Sequence, residues 1–267
     1  MHRFYIAPED WDPAALMLRG AEAHHARDVL RAKRNQRVVV FNGRGREITA
    51  EIIEVARSEV RLRKLHEAEA PPLRCRVTLA QAIPKGKNMD LIVQKAVEIG
   101  AAEIAPLISE RTIVGLDSEA ARQKQTKWQQ IAVEAAKQSG QNWLPEVRLP
   151  LKLKDFFSDS VVATPVAAGA EIKDRRLTQT PLQQLRLIGS LQPDAQPLKK
   201  VLRDYESDHR DRPSSALMLV GPEGDFTPAE LALAKSHGCL PITLGPIILR
   251  VETAAIYCLS VLSYELF

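Results

Sequence analysis

The sequence predicts an α/β protein in which a small β-rich domain precedes a parallel sheet with helices on both faces. From residue 73 onward, short apolar strands alternate with helical segments, which is typical of a parallel sheet covered by helices. Before residue 71, short segments alternate apolar and polar side chains, as half-buried strands do. The Pro-containing stretch Glu67–Pro72 predicts a linker. We therefore expect one domain over residues 1–70 and a second over residues 73–267.

The N-terminal domain is predicted to be a small barrel of four strands and one helix. Asn42–Gly45 reads Asn-Gly-Arg-Gly, which predicts a hairpin turn because Asn-Gly tolerates a positive φ. Ala21–Arg31 has helical spacing. The predicted strands are Arg3–Ala7, Arg37–Phe41, Glu47–Val55 and Ser58–Leu65.

The C-terminal domain shows clear helix boundaries. Thr227-Pro228-Ala229-Glu230 is a capping box with Pro in the first turn, and its helix should stop at Gly238. Asn88 is predicted to cap a helix that runs to Ile99. The remaining predicted helices are Asp117–Ser139 and Val251–Phe267, and the predicted strands are Cys75–Ile83, Glu103–Ser109, Leu185–Leu191, Leu217–Val220 and Pro241–Leu244.

The composition favours a globular cytoplasmic protein, and the distribution of its basic residues favours binding to a polyanion. No apolar stretch reaches the roughly 18 residues of a membrane helix, and the N-terminus lacks the pattern of a signal peptide. The three Cys form no CxxC pair and the six His have no ligand spacing, so we expect neither a metal nor disulfides. Seven basic residues stand against one acid, Asp28, between Arg27 and Arg46. Such clustering suits a phosphate backbone, although a solvated surface is the simpler alternative.

Two loops near the C-terminus carry the residues that can do chemistry. Val220–Gly224 and Leu244–Arg250 each follow a short apolar strand, and open α/β sheets bind ligands at such strand ends. Glu223 and Asp225 make the first loop negative, which disfavours a phosphate and suits a cation. The second loop is apolar up to Arg250, so a flat aromatic ligand could lie there. The alternative for the first loop is an ordinary strand-to-helix turn. The alternative for the second is a buried loop in which Arg250 pairs with Glu252.

Together these residues resemble the bacterial small-subunit ribosomal RNA uridine-N3 methyltransferases, which belong to the SPOUT, or trefoil-knot, class. The two C-terminal loops carry the resemblance most specifically, and it extends over nearly the whole chain. The other matching segments are Met1–Tyr5, His25–Arg31, Asn42–Gly45, Gln94–Gly100, Pro106 with Glu110-Arg111, and Trp128–Gln138.

The resemblance implies an N-terminal PUA-like barrel that binds RNA and a knotted C-terminal domain that binds S-adenosylmethionine. It further implies a homodimer that methylates N3 of a uridine in 16S ribosomal RNA within the small ribosomal subunit. The apolar face of the last helix, with Ala255, Cys258 and Leu262, would then belong to the knot core or to the dimer interface. A related knotted enzyme for a ribose 2′-OH or a transfer RNA base, and a non-catalytic assembly factor, remain alternatives.

The implied site residues fall into three groups. We expect the cofactor to contact Leu191, Pro193, Val220, Gly221, Gly224, Leu244, Gly245, Ile248, Leu249, Arg250 and Thr253. Arg250 is the candidate cation that stabilises charge on the uracil ring, and Glu223 or Glu252 is the candidate base. The predicted RNA contacts are Arg3, Arg27, Arg31, Arg34, Arg44, Lys85 and Lys87.

The chain departs from the family pattern at five positions. The pattern has Gly at position 225, Arg at positions 141 and 247, Thr at position 251 and His at position 192. Here these positions hold Asp225, Gln141, Ile247, Val251 and Gln192. Loss of two arginines should weaken phosphate or target contacts, whereas the added carboxylate should attract a sulfonium and repel RNA.

Overall fold

The computed structural model describes residues 1–112, 117–158 and 184–267, which form two compact units. The first unit contains Met1–Pro72 and Gln130–Pro145, and the second contains Leu73–Gln129 and Glu146–Phe267. The segment 130–145 therefore lies outside the unit to which the sequence assigned it. Its contacts in the first unit include a hydrogen bond from the indole N–H of Trp143 to the carbonyl of Ala70 at 2.9 Å.

The first unit is built on a five-stranded sheet, in the order β1-β3-β4-β5-β2. β1 and β3 are parallel, and the other neighbours are antiparallel. The strands are β1 (Arg3–Tyr5), β2 (Met17–Arg19), β3 (Arg37–Phe41), β4 (Arg46–Val55) and β5 (Glu59–Glu69). Helix α1 (Gly20–His24) continues as a π-helical turn over His25–Val29, and Pro8–Asp10 forms a 3₁₀ turn.

The sequence predicted the type of this unit correctly but missed one strand and misplaced part of the linker. The small β domain and its hairpin turn are confirmed: the Asn42 side-chain oxygen accepts hydrogen bonds from the backbone N–H of Arg44 at 2.8 Å and of Arg46 at 3.1 Å. Strand β2 was missed because three residues carry almost no periodicity. Part of the predicted linker is wrong, because Glu67–Glu69 continues β5, where Glu67 forms an ion pair with Arg46. Two register shifts in the β4–β5 hairpin bend the sheet around an apolar core.

One charged cluster is buried in the first unit. Lys137 is 8% exposed, and its ammonium lies 3.1 Å from the Glu22 carboxylate, 2.9 Å from Glu134 and 3.2 Å from Nδ1 of His25. Burial raises the pKa of Glu22, an effect that Lys137 opposes. Burial, and then the positive charge of Lys137, lower the pKa of His25.

The described residues of the second unit form an eight-stranded sheet with parallel strand pairs throughout. The strand order is β11-β13-β10-β12-β6-β7-β8, with β9 also beside β7. Its strands are β6 (Arg76–Ala82), β7 (Glu103–Ile108), β8 (Glu146–Val147), β9 (Leu151–Lys152), β10 (Gln184–Gly189), β11 (Gln196–Pro197), β12 (Ser215–Val220) and β13 (Leu240–Thr243). Its helices are α2 (Asn88–Ile99), α4 (Leu153–Ser158), α5 (Leu198–His209), α6 (Pro228–Ser236) and α7 (Val251–Leu266). Helix α3 (Ser118–Ser139) begins in this unit and ends in the first.

Helices cover both faces of this sheet, as the sequence predicted. On one face, α4 and α6 supply Phe156 and Leu231 to a core formed with side chains of β6, β10 and β12. On the other face, α7 packs against α2, β6 and β12. Ala255, Cys258 and Leu262 of α7 are all fully buried there. The sequence predicted that this apolar face lies either in the knot core or in the dimer interface. In the structure it is buried inside the second unit.

The strand order brings three chain segments to one edge of the sheet. β10 lies between β12 and β13, although β12 and β13 are consecutive along this part of the chain. The carboxyl ends of parallel strands share an edge, so the loops after β10, β12 and β13 become neighbours. Among the described helices, none is long and apolar enough to cross a membrane.

Candidate functional site

A cavity of about 500 Å³ lies in the second unit at the carboxyl ends of these three strands. The loop after β10 lines it with Gly189–Leu191. The loop after β12 contributes five residues between Val220 and Asp225, and the chain from Ile242 to Ala254 supplies most of the rest. Its position is the one at which open α/β sheets bind ligands, where the strand order changes direction.

Most of the predicted cofactor residues line this cavity. Those that do are Leu191, Val220, Gly221, Leu244, Gly245, Ile248, Leu249 and Arg250. Pro193, Gly224 and Thr253 are exposed residues outside the lining. Gly224 does not line the cavity, and its carbonyl instead accepts a hydrogen bond from the guanidinium of Arg111.

Both candidate bases are held by the same segment, which joins β6 to α2. The backbone N–H of Lys85 donates to Oε1 of Glu223 at 2.9 Å. The Asn88 amide donates to Oε2 of Glu252 at 3.1 Å. The prediction that Asn88 caps α2 is therefore wrong, because Asn88 is the first helical residue and its side chain reaches α7 instead. Each carboxylate keeps its second oxygen without a hydrogen bond among the described residues.

Arg250 lines the cavity as an exposed residue directly before α7. The expected alternative, an arginine paired with Glu252, is not found: within the described parts of the chain the Arg250 guanidinium makes no hydrogen bond or ion pair. A free guanidinium beside two carboxylates can bind an anionic group of a ligand or stabilise charge that develops on a substrate.

Asp225 joins two of the loops that line the cavity. Its Oδ1 accepts the backbone N–H of Phe226 at 2.7 Å, and its Oδ2 accepts that of Leu191 at 3.2 Å. Its φ is +62°, in the left-handed region that few residues with a Cβ adopt. The loop after β10 is thus attached to the loop after β12 by one carboxylate.

The loop after β13 forms an apolar rim. Ile247 and Ile248 are 74% and 75% exposed, and Leu191 on the opposite loop is 61% exposed. Gly245 has a φ of +125°, and its backbone N–H donates to the Thr243 hydroxyl at 3.4 Å. Large apolar side chains so exposed at a cavity mouth mark a surface that a ligand can cover.

The start of α6 supports the loop after β12 from behind. Glu230 is 6% exposed, and its carboxylate accepts the backbone N–H of Thr227 at 2.9 Å and of Glu110 at 2.9 Å. The predicted capping box is confirmed. Because Arg111 follows Glu110 and bonds the Gly224 carbonyl, the cap also fixes the turn that holds this loop.

Sequence reasoning missed several lining residues for an identifiable reason. Ser190 and Thr243 come from the ends of β10 and β13, and Asn88 comes from the segment after β6. The local sequence around Asn88 signals a helix start and nothing more. Its position beside the cavity depends on β6 lying next to β12, which only the strand order reveals.

The lining is chemically suited to S-adenosylmethionine. The volume of the cavity falls in the range of small-molecule sites, which runs from about 300 to 1,000 Å³. The isoleucine and leucine side chains of the rim can cover a flat adenine. Glu223, Asp225 and Glu252 suit a sulfonium and an ammonium, and Arg250 suits the carboxylate of the amino-acid part. No group of His, Cys, Asp or Glu in the described residues could hold a metal ion.

The predicted RNA contacts differ in exposure and in whether they are paired. Arg31, Arg34 and Arg44 in the first unit, and Lys85 and Lys87 in the second, are exposed. Arg27 is half-buried and forms an ion pair with Asp28 at 2.5 Å.

Arg3 differs from these residues because its guanidinium is turned inward. It lies 2.5 Å from the Glu47 carboxylate, 2.6 Å from the Asn142 side-chain oxygen and 4.9 Å from the centre of the Phe41 ring. We therefore assign Arg3 a structural role in the first unit.

Comparison with known proteins agrees with the fold. Residues 71–263 match the model of an RNA methyltransferase domain, and residues 18–65 match that of an RNA methyltransferase PUA domain. The ribosomal RNA small subunit methyltransferase E of Synechocystis is 30% identical, and the match covers 97% of this chain and 76% of that protein.

Two solved structures are similar over almost their whole length. One is the ribosomal RNA small subunit methyltransferase E of Neisseria gonorrhoeae bound to S-adenosylmethionine, at 29% identity, a TM-score of 0.79 and coverage of 99% of this chain and 97% of that one. The other is a methyltransferase from Legionella pneumophila in complex with the same cofactor, at 33% identity, a TM-score of 0.79 and coverage of 98% and 96%.

A parallel sheet with a cofactor-sized cavity at its carboxyl edge, together with these matches, defines an RNA methyltransferase with a PUA domain. The chain belongs to the ribosomal RNA small subunit methyltransferase E family. The predicted class, a methyltransferase of ribosomal RNA that depends on S-adenosylmethionine, is thereby confirmed for the family that contains this chain.

Proposed function

We propose that this protein methylates N3 of a uridine in 16S ribosomal RNA within the small ribosomal subunit, and that the cavity binds the cofactor. One observation carries the site assignment: three loops from adjacent strand ends enclose about 500 Å³ lined by apolar side chains, three carboxylates and a free guanidinium. The relatives are named as ribosomal RNA small subunit methyltransferases, which supports ribosomal RNA as the substrate.

The residues of the cavity can meet the chemical demands of this reaction. When bound, S-adenosylmethionine supplies a methyl group on a positively charged sulfur. Uracil N3 carries a proton and becomes a good nucleophile once that proton is removed. Glu223 and Glu252 each present an unbonded oxygen that can accept the proton. Arg250 can then stabilise the negative charge that spreads onto the ring oxygens.

The segment Lys85–Asn88 is proposed to set the position of both carboxylates. It donates one hydrogen bond to Glu223 and one to Glu252, so each side chain keeps a fixed direction. Lys85 and Lys87 are exposed in the same segment and can contact a phosphate of the bound strand. The target base must leave its stack to reach the cavity, which is feasible in the single-stranded parts of folded RNA.

We propose that the domain 1–70, with which the segment 130–145 lies, is an RNA-binding PUA-like barrel. The rest of the domain 73–267 would be a knotted methyltransferase domain. In the first, Arg27, Arg31, Arg34 and Arg44 would contact the RNA backbone. The protein would act in the cytoplasm, where ribosomal RNA is modified.

The proposed homodimer has a candidate surface on α7. Tyr257 and Tyr264 are 47% and 88% exposed, and with Ser260 they lie along one face of the helix. Exposed aromatic side chains of this kind are enriched at protein interfaces. Sedimentation of the wild type and of Tyr264→Glu at several concentrations tests this surface, and a dimer unaffected by the charge would exclude it.

The first experiment is a calorimetric titration with S-adenosylmethionine. We expect binding that Gly221→Trp abolishes and that Ile248→Arg, at an exposed rim position, weakens at least tenfold. Ala232→Trp on the outer surface of α6 is the matched control and should bind normally. Normal binding by both cavity variants would refute the site.

The second experiment identifies the product. Small subunits from cells that lack this enzyme are incubated with the protein and S-adenosylmethionine, and the modified nucleoside is identified by mass spectrometry. N3-methyluridine supports the proposal. A 2′-O-methyl nucleoside or a methylated transfer RNA would indicate a related knotted enzyme, and a folded protein without cofactor binding would indicate an assembly factor.

A further inference from the structure

We propose that Asp225 sets the cofactor specificity of the cavity, because its fixed carboxylate favours a positively charged sulfonium over a neutral thioether. This inference rests on the proposed function of the cavity as the cofactor site. Methyl transfer leaves the bonding electron pair on sulfur, so the product S-adenosylhomocysteine lacks the positive charge of the cofactor. A negative wall would therefore retain the cofactor and release the product.

The backbone shows that the side chain of Asp225 is held in place. A φ of +62° is unfavourable for residues with a Cβ, although the short polar side chain of Asp tolerates it better than most. The same turn is closed by a hydrogen bond from the backbone N–H of Asp225 to the Pro222 carbonyl at 2.9 Å. Both carboxylate oxygens then accept backbone N–H groups, one from Phe226 and one from Leu191.

The neighbouring glycine makes room for this carboxylate. A Cβ at Gly221 would lie 3.3 Å from Oδ1 of Asp225 and 3.3 Å from the Phe226 ring. Any larger residue at position 221 would press against the carboxylate. The loop after β12 therefore has the shape needed to carry a carboxylate at its end.

The charges around the cavity favour a cation. Its four ionisable lining residues are Glu223, Asp225, Glu252 and Arg250, which gives a formal excess of two negative charges. Of these, Glu223 is exposed and its charge is screened by water, whereas Asp225 is half-buried. Asp225 also differs from the two glutamates in having both oxygens engaged, so its charge cannot swing away from the wall.

The test compares Asp225→Asn with the wild type in calorimetric titrations against S-adenosylmethionine and S-adenosylhomocysteine. Asn keeps the size of the side chain and tolerates a positive φ, but it removes the charge and one of the two acceptor oxygens. We expect the affinity for the sulfonium to fall about tenfold and that for the thioether to change less than about twofold. Asp194→Asn is the matched control, because Asp194 lies in the loop after β10, which also lines the cavity, but it pairs with Lys235 outside the lining.

Asp225→Gly is the second variant, since it removes the charge and relieves the backbone if the Asn variant does not fold. It should lower the ratio of the two affinities in the same direction. Equal weakening of both ligands would show that Asp225 only shapes the loop, and unchanged affinities would show that it has no role. Either result overturns the proposal while the wild type still binds the cofactor. Failure of the cavity assignment is recognised separately, by normal cofactor binding in Gly221→Trp and Ile248→Arg.

Discussion

Removing the buried carboxylate of Glu230 should destabilise the protein and loosen the loop after β12 at the same time. In Glu230→Ala the backbone N–H groups of Thr227 and Glu110 each lose an acceptor at 2.9 Å. A hydrogen bond to a charged group contributes about 1.5–3 kcal/mol. The lower value is appropriate for each bond because both donors lie near the surface, and the sum is roughly 3 kcal/mol.

Two comparisons separate the contributions of this carboxylate. Glu230→Gln keeps one acceptor oxygen, so about half of the loss is expected, roughly 1.5 kcal/mol. Thr227→Ala removes the hydroxyl that accepts the Glu230 N–H at 3.3 Å and should cost about 1 kcal/mol. Glu119→Ala, at an exposed first-turn position of α3, is the control and should change stability by less than about 0.5 kcal/mol.

The assay is urea unfolding followed by circular dichroism, with a cofactor titration of each folded variant. Glu230→Ala should also bind S-adenosylmethionine more weakly, by about fivefold, or roughly 1 kcal/mol, because the turn at Glu110-Arg111 no longer holds the Gly224 carbonyl. Thr227→Ala should bind normally, since it leaves that turn intact. If Glu230→Ala were as stable as Glu119→Ala, the reasoning about the buried cap would be refuted.

Three further predictions follow from the site and from the first unit. Arg250→Ala should lower kcat about 100- to 1,000-fold while the exposed Arg203→Ala does not, and full methylation by Arg250→Ala would contradict its role. Replacing Arg31 and Arg34 by Ala should weaken RNA binding and reduce the slope of log K against log salt by roughly 1.4, and an unchanged slope would remove both from the RNA footprint. The pKa of His25 is lowered in the folded protein, so its neutral form contributes stability above pH 6.5 that is lost as the pH falls through the folded pKa. The wild type should therefore lose more stability than His25→Gln between pH 7 and pH 5 in urea unfolding, and equal losses would contradict the lowered pKa of His25.

Much of the fold could be predicted from the sequence because the signals were local. The capping box Thr227–Glu230, the left-handed Gly100 after α2 and the apolar run of β12 each act within a few residues, and all three elements lie where they were predicted. Short elements such as β2 and α4 were missed because they contain too few residues to show a period. The helix α5 (Leu198–His209) was missed because polar and charged residues surround it.

The two candidate loops were also recognisable from the sequence, because each joins a strand to a helix through a glycine turn, and the helix after the first loop has a capping box. Their polar partners were not recognisable. Asn88 and Glu252 are 164 positions apart, and the Lys85 N–H and Glu223 are 138 positions apart. No local pattern encodes such a pairing.

The sequence by itself determined the type of each domain, the two loops that we propose as the cofactor site, and the family. Only the tertiary structure decided that β10 lies between β12 and β13, which places Leu191 within hydrogen-bond distance of Asp225. It also decided that Arg3 is turned inward and that the segment 130–145 lies with the first unit. The physical reason is the same in each case: periodicity and turn chemistry act over a few residues, whereas strand order and ion pairing depend on which distant surfaces the folded chain brings together.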